Sequence, residues 1–237
     1  MSRATVPASA DESGGQQLPA AELRQVRAYA VMSGASGIVF AALFLVAFAL
    51  LRKVPGLAVP DAVYTQFYNS GSDVLVALGL YVVPFAGIAF IWNMIATRTL
   101  VSAYPDPPST IPFGLHIASG VLLVAMMFAA TAAVGAVALL TVFSVAPLPS
   151  VDIARALTST GYGLAFVYGV RAAGMYMITT TTLMKGTGIL PRWLAVIGYV
   201  VAAFLLVSTT FHPVILLVFP VWIIVTSVAV IVRAGRP

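Results

Sequence analysis

Six apolar stretches, at about 29–51, 73–96, 114–142, 160–182, 190–209 and 213–232, occupy most of this chain, and each is near or above the roughly 20 residues that cross a bilayer as a helix. A hydrocarbon core offers no water to backbone N–H and C=O groups, so runs of this length must close their hydrogen bonds internally. The expected fold is therefore all-α, a polytopic transmembrane helical bundle of six spans. The third stretch is long enough to tilt or to project into the headgroups. Between the last two, VSTTFHPV contains Pro213, which predicts a tight helical hairpin.

Composition decides against a soluble alternative. The chain is 61% hydrophobic and 8% charged, whereas a soluble domain carries about a quarter charged residues and needs them to cover its outside. Residues 1–18 (MSRATVPASADESGGQQL) are polar and small, too poor in large apolar side chains to offset ordering, and are expected to form a disordered cytoplasmic tail. The membrane domain then runs over 19–237. It begins with PAAELRQVRAYA, where Pro19 suits a first helical turn.

Ten Arg and two Lys face seven acids. They are scattered at span ends rather than clustered, which fits membrane orientation and not a nucleic acid partner. With the N-terminus inside, inner segments hold Arg3, Arg24, Arg27, Arg98, Lys185, Arg192, Arg233 and Arg236, while outer loops hold Arg52, Lys53 and Arg155. The positive-inside rule then puts both termini in the cytoplasm, with Asp61, Asp73 and Asp152 outside and Trp92, Trp193 and Tyr29 at the inner interface. The absence of Cys excludes disulfides and thiolate metal sites. Abundant Ala and Val, with Arg preferred to Lys, points to a GC-rich bacterial genome.

Arg171 is the most informative single residue. VYGVRAAGMYM places it near the middle of the fourth stretch, where a cation costs about 2.5 kcal/mol or more. It must face protein or water. One reading is an anchor for an anionic ligand, with Tyr168 and Met175 one turn either side and Asp73 as a further member of the site. The other is structural: pairing with Asp73 or Asp152, a bond to the Leu80 carbonyl freed by Pro84, or snorkelling into an outer cavity.

The same stretch carries Gly161, Ala165, Gly169 and Ala173 at four-residue spacing, a ribbon of small side chains whose centre lies roughly 140° from Arg171. Ala125, Ala129 and Ala133 draw a matching ribbon on the third stretch. The two are expected to meet in a close helix seam.

Catalytic patterns fail on placement. His116 and His212 fall at opposite ends of the expected bundle, about 30 Å apart, too far for one haem. Gly34-Ala35-Ser36-Gly37 matches the GxSG motif of rhomboid intramembrane proteases, but Ser36 opens the first stretch near the cytoplasm while His212 precedes the last on the other side. With no Walker A, HExxH or paired carboxylates within a span, no catalytic residue, metal or cofactor is assigned.

Leu190-Pro191-Arg192-Trp193-Leu194 and Phe219-Pro220-Val221-Trp222 resemble a family of small bacterial six-helix membrane proteins of unknown function, over about 50 residues of the C-terminal third. The resemblance implies the fold and a bacterial inner membrane, and it carries no activity; the longer polar tail departs from it. The expected function is a non-enzymatic integral membrane module, an accessory subunit of a membrane complex or a lipid-binding protein, whose partners are lipids, other membrane proteins or itself. The alternative is a transporter or sensor of a small anionic or amphipathic solute centred on Arg171.

Overall fold

The computed structural model describes residues 20–104, 110–144 and 147–233; the expected tail over 1–18 lies outside the described residues. Among them there is no strand, and the chain is all-α. Long apolar helices α1 (Ala20–Leu51), α3 (Val74–Ser102), α4 (Thr110–Phe143) and α8 (Ile215–Arg233) are each long and apolar enough to cross a membrane. A short helix α2 (Asp61–Asn69) sits between α1 and α3. Helix α5 (Val151–Tyr162) runs into a π-helical segment (Gly163–Gly169) and on into α6 (Val170–Gly186), followed by the shorter apolar α7 (Arg192–Val207).

Local chemistry sets the ends. Ser150 caps α5 by accepting from the Ile153 N–H, and Asp152 in the first turn suits the positive end of the helix. Gly188, at φ +74°, lets the chain reverse after α6 so that the Leu190 N–H reaches the Met184 carbonyl. Pro191 then precedes α7 at its N-cap. The fourth apolar stretch is thus only part of a helix that begins at Val151, where charged and hydroxyl residues hide the start from a hydropathy reading.

Helix α1 lies between α3 and α8, α4 lies between α3 and the α5–α6 rod, and α7 packs on α6. Glycine permits the closest approaches. A Cβ on Gly37 would stand 2.2 Å from Ser227 Oγ, and one on Gly34 would stand 2.9 Å from the Ser227 carbonyl. The GASG run is therefore the α1–α8 contact. Ser36 Oγ, the residue the protease motif would need, donates to the Met32 and Ser33 carbonyls of its own helix.

At the α2 end a cap is clamped to α5 by Arg155, which donates to the Val59 carbonyl at 2.6 Å, pairs with Asp61 at 2.8 Å and lies over the Tyr64 ring. The Tyr64 hydroxyl donates to the Pro55 carbonyl. Burial, and after it the neighbouring Tyr64 and Asp73, push the Tyr68 phenol up to about 12, so this part of the cap stays neutral at ordinary pH.

Candidate functional site

The bundle differs at its two ends. Towards the end opposite α2 its interior is polar and closed. Asn93 donates to the Ser33 carbonyl at 2.7 Å and accepts from the Tyr176 hydroxyl, and Ser33 Oγ bonds Thr97 Oγ1. His116, fully buried, stands between the Met94 carbonyl and Thr180 Oγ1 and stacks on Tyr176 at 4.7 Å. Polar side chains of α1, α3, α4 and α6 thus satisfy one another. Replacing Asn93 with Leu removes an acceptor of the Tyr176 hydroxyl and the donor to Ser33, and should cost about 2 kcal/mol. A lower melting temperature in detergent checks this.

Phe40, Phe90, Tyr176 and Phe219 form an aromatic plate beside this network, with Phe40–Phe90 and Phe90–Tyr176 centroids 4.9 and 4.8 Å apart and Phe219 edge-on to all three. On the α2 side of the plate the interior is hollow. A cavity of about 160 Å³ lies among α1, α3, α4, the π segment, α6 and α8, with Phe219 contributed by the plate itself. Its lining is apolar except for Thr131, whose hydroxyl is spent on its own helix, and for Arg52 and the Tyr162 side chain at the α2 end.

The ribbon of small residues explains the hollow. Gly161, Ala165, Gly169 and Ala173 all line the cavity, opposite Ala47, Ala86 and Ala130. Where seven facing positions carry at most a methyl group, the helices that bear them cannot fill the space between their axes. The π segment adds to this, since its wider turn displaces Gly163–Gly169 from a straight course.

The expected helix seam exists at Gly161, but with different residues on α4. A Cβ on Gly161 would lie 2.7 Å from the Ala130 carbonyl and 2.4 Å from Val134 Cγ2, and one on Gly169 would lie 3.9 Å from Met126 Cβ. Met126, Ala130 and Val134 are thus the α4 stripe. Ala125 and Ala129 are exposed and Ala133 half-buried, one residue and so 100° away round the helix. A glycine on one helix makes room for Val and Met on the other, so the seam does not pair the smallest residues of both.

Arg171 is held by main-chain oxygens. Its Nη1 donates to the Phe166 carbonyl at 2.6 Å and its Nη2 to the Ser208 carbonyl at 2.7 Å. Both acceptors have a structural origin. Phe166 belongs to the π segment, where the ordinary helical bonding pattern is broken. Ser208 is the C-cap of α7, whose last carbonyls lack helical partners and carry the negative end of its dipole. The guanidinium ties the two helices together at that level.

The other residues grouped with it are dispersed. Asp73 is buried and accepts from Thr141 Oγ1 at the α3–α4 contact, Tyr168 is 60% exposed on the outer surface, and Met175 is half-buried. Neither of these bonds of Arg171 goes to Asp73, Asp152 or Leu80. Among the described residues no group of acids and histidines could hold a metal ion. By hydropathy alone Arg52 falls only in an outer loop. Its position one residue past the end of an α1 face carrying Phe44, Ala47, Phe48 and Leu51 is the signal that would have found it.

Compared with protein families, with curated proteins and with solved structures, the chain finds no match, so its function rests on its own geometry.

Proposed function

We propose that the protein is a non-enzymatic integral membrane module that holds the apolar tail of a lipid-like molecule in the cavity between its helices. The observation that carries this reading is a hollow of about 160 Å³ with largely apolar walls, lined at one end by Phe219 of the aromatic plate. An apolar void of roughly 150 Å³ stays dry and admits a benzene-sized molecule. A hydrated ion or a polar solute finds few partners along its apolar walls.

The six crossings of this reading are α1, α3, α4, the rod of α5, π segment and α6, then α7 and α8, with both chain ends in the cytoplasm of a bacterium and the bundle in its inner membrane. Two features support it. Arg24, Arg27, Arg98, Lys185, Arg192 and Arg233 lie at the end opposite α2, against Arg52, Lys53 and Arg155 at the α2 end, as the positive-inside rule requires. Trp92 and Trp193 are exposed at the cation-rich end, at 58% and 62%, where an aromatic belt belongs. With 16 residues, α7 is about 24 Å long and falls short of a 30 Å core. Arg171 supplies the cap that this shortfall demands.

A solute transporter centred on Arg171 is less well supported, because its two bonds to carbonyls explain the cation without a ligand and Arg171 does not line the cavity. An accessory subunit that binds lipid is compatible with the same geometry.

The test is lipid retention. Ala165 is half-buried on the cavity wall, and Ala165→Phe, with the milder Ala165→Leu beside it, fills the hollow from inside. Native mass spectrometry of the full chain from mild detergent is expected to find lipid-sized adducts on the wild type and at least tenfold fewer on the filled variants, by the factor that about 1.4 kcal/mol represents. Adducts undiminished in both filled variants sink the reading.

A further inference from the structure

The cavity has a charged mouth, and its chemistry narrows the occupant. We infer that the ligand is a single-tailed amphiphile with an anionic headgroup, its tail in the hollow and its head on Arg52. This rests on the lipid-holding reading above and specifies it.

Size sets the number of tails. The hollow follows α1 from Phe44 to Arg52, about 12 Å of helix rise, and α5 to α6 from Gly161 to Ala173, about 18 Å. With a volume of about 160 Å³ it is slim for that depth. It has no room for two chains side by side, so the tail it admits is single.

Charge sets the head. Arg52 lines the mouth from just beyond the last turn of α1 and is exposed; its backbone N–H donates to the Phe48 carbonyl, and its guanidinium makes no hydrogen bond or ion pair with a described residue. Lys53 follows it and is exposed as well. Two acids of the same end are already engaged: Asp61 pairs with Arg155, and Asp73 accepts from Thr141. Asp152, exposed in the first turn of α5, is the third acid of that end and faces the dipole of its own helix. The Tyr162 side chain stands on the opposite wall near the mouth.

Membrane physics makes that cation decisive. A tail that moves from bilayer to cavity leaves one apolar medium for another, so it gains packing contacts but little hydrophobic free energy. Tails alone are therefore poorly distinguished. Selection among amphiphiles has to come from the head, and a guanidinium offers a carboxylate or phosphate two parallel donors.

The experiment uses the full chain in nanodiscs of phosphatidylcholine, offered lysophosphatidylglycerol and lysophosphatidylcholine with the same tail, with retained molecules counted by native mass spectrometry. Wild type is expected to retain the anionic lysolipid with about fivefold preference, the factor a partly screened ion pair gives. R52Q should lose the preference while still binding the neutral lysolipid, K53Q should keep most of it, and Ala165→Phe should lose both ligands. Equal retention of the two lysolipids by wild type, abolished by Ala165→Phe, overturns the anionic head and leaves the cavity reading standing. So does a preference that R52Q retains. Retention that neither Ala165→Phe nor Ala165→Leu reduces overturns the cavity reading and the inference with it. Fatty acid of the same tail length, run in parallel, distinguishes a carboxylate from a phosphodiester as the preferred anion.

Discussion

Replacing Gly161 with leucine is expected to be the most damaging single change on the cavity wall, at about 3 kcal/mol or more. The cost arises at the first added atom, because a Cβ there would lie 2.7 Å from the Ala130 carbonyl and 3.0 Å from the Val134 nitrogen. Side-chain ends can swing aside, but these are main-chain atoms of α4 and move only if the helix moves. Alanine at the same position already meets them, so Gly161→Ala should show a large part of the loss. Ala165→Leu, four residues along the same face, has the hollow to grow into and should be tolerated. Melting temperatures of the three variants in one detergent check the order: Gly161→Leu lowest, Gly161→Ala next, Ala165→Leu near wild type. If Ala165→Leu is as damaging as Gly161→Leu, the hollow is not there to receive it.

The second large effect is at Arg171. A glutamate there turns two donors into acceptors facing the Phe166 and Ser208 carbonyls, and loses two charge-assisted bonds worth about 1.5–3 kcal/mol each. Arg171→Met loses the same bonds, yet also removes a cation whose insertion costs about 2.5 kcal/mol or more, so the two terms largely offset. Arg171→Lys keeps the charge at the end of α7 and can make one of the bonds. The expected order of melting temperature is Arg, then Lys and Met, with Glu far below. Lipid retention is expected to be unchanged in Arg171→Met, since the guanidinium is spent on the backbone. A Met variant that folds like wild type but loses its bound lipid would return Arg171 to the ligand site.

Much of the fold is legible in the chain because it depends on length and hydropathy alone. Each apolar stretch corresponds to a helical segment, and the Pro191 and Pro213 punctuation falls between α6 and α7 and between α7 and α8. The beginning of α5 was not legible, because VDIARALTST is amphipathic and its buried side faces the cap. Nor was the π segment, since nothing in GLAFVYG distinguishes it from ordinary helix. The candidate site was half legible. The ribbon Gly161, Ala165, Gly169 and Ala173 was visible as a pattern, but the same pattern serves close packing and an unfilled space. Its Gly161 end does one and its length does the other.

By itself, then, the sequence determined an all-helical chain with apolar stretches suited to lipid, the residues that are small, and the presence of one cation that could not be left to hydrocarbon. Only the tertiary structure decided what the small residues surround and what the cation touches. Both answers depend on rotation and depth. One residue of helix turns a side chain by 100° and raises it by 1.5 Å, enough to separate Ala129 from Ala130 at the seam. The partners of Arg171 are carbonyl oxygens, which every residue carries and no sequence pattern marks. They become partners because α7 is short and the neighbouring helix swells into a π turn at the same level.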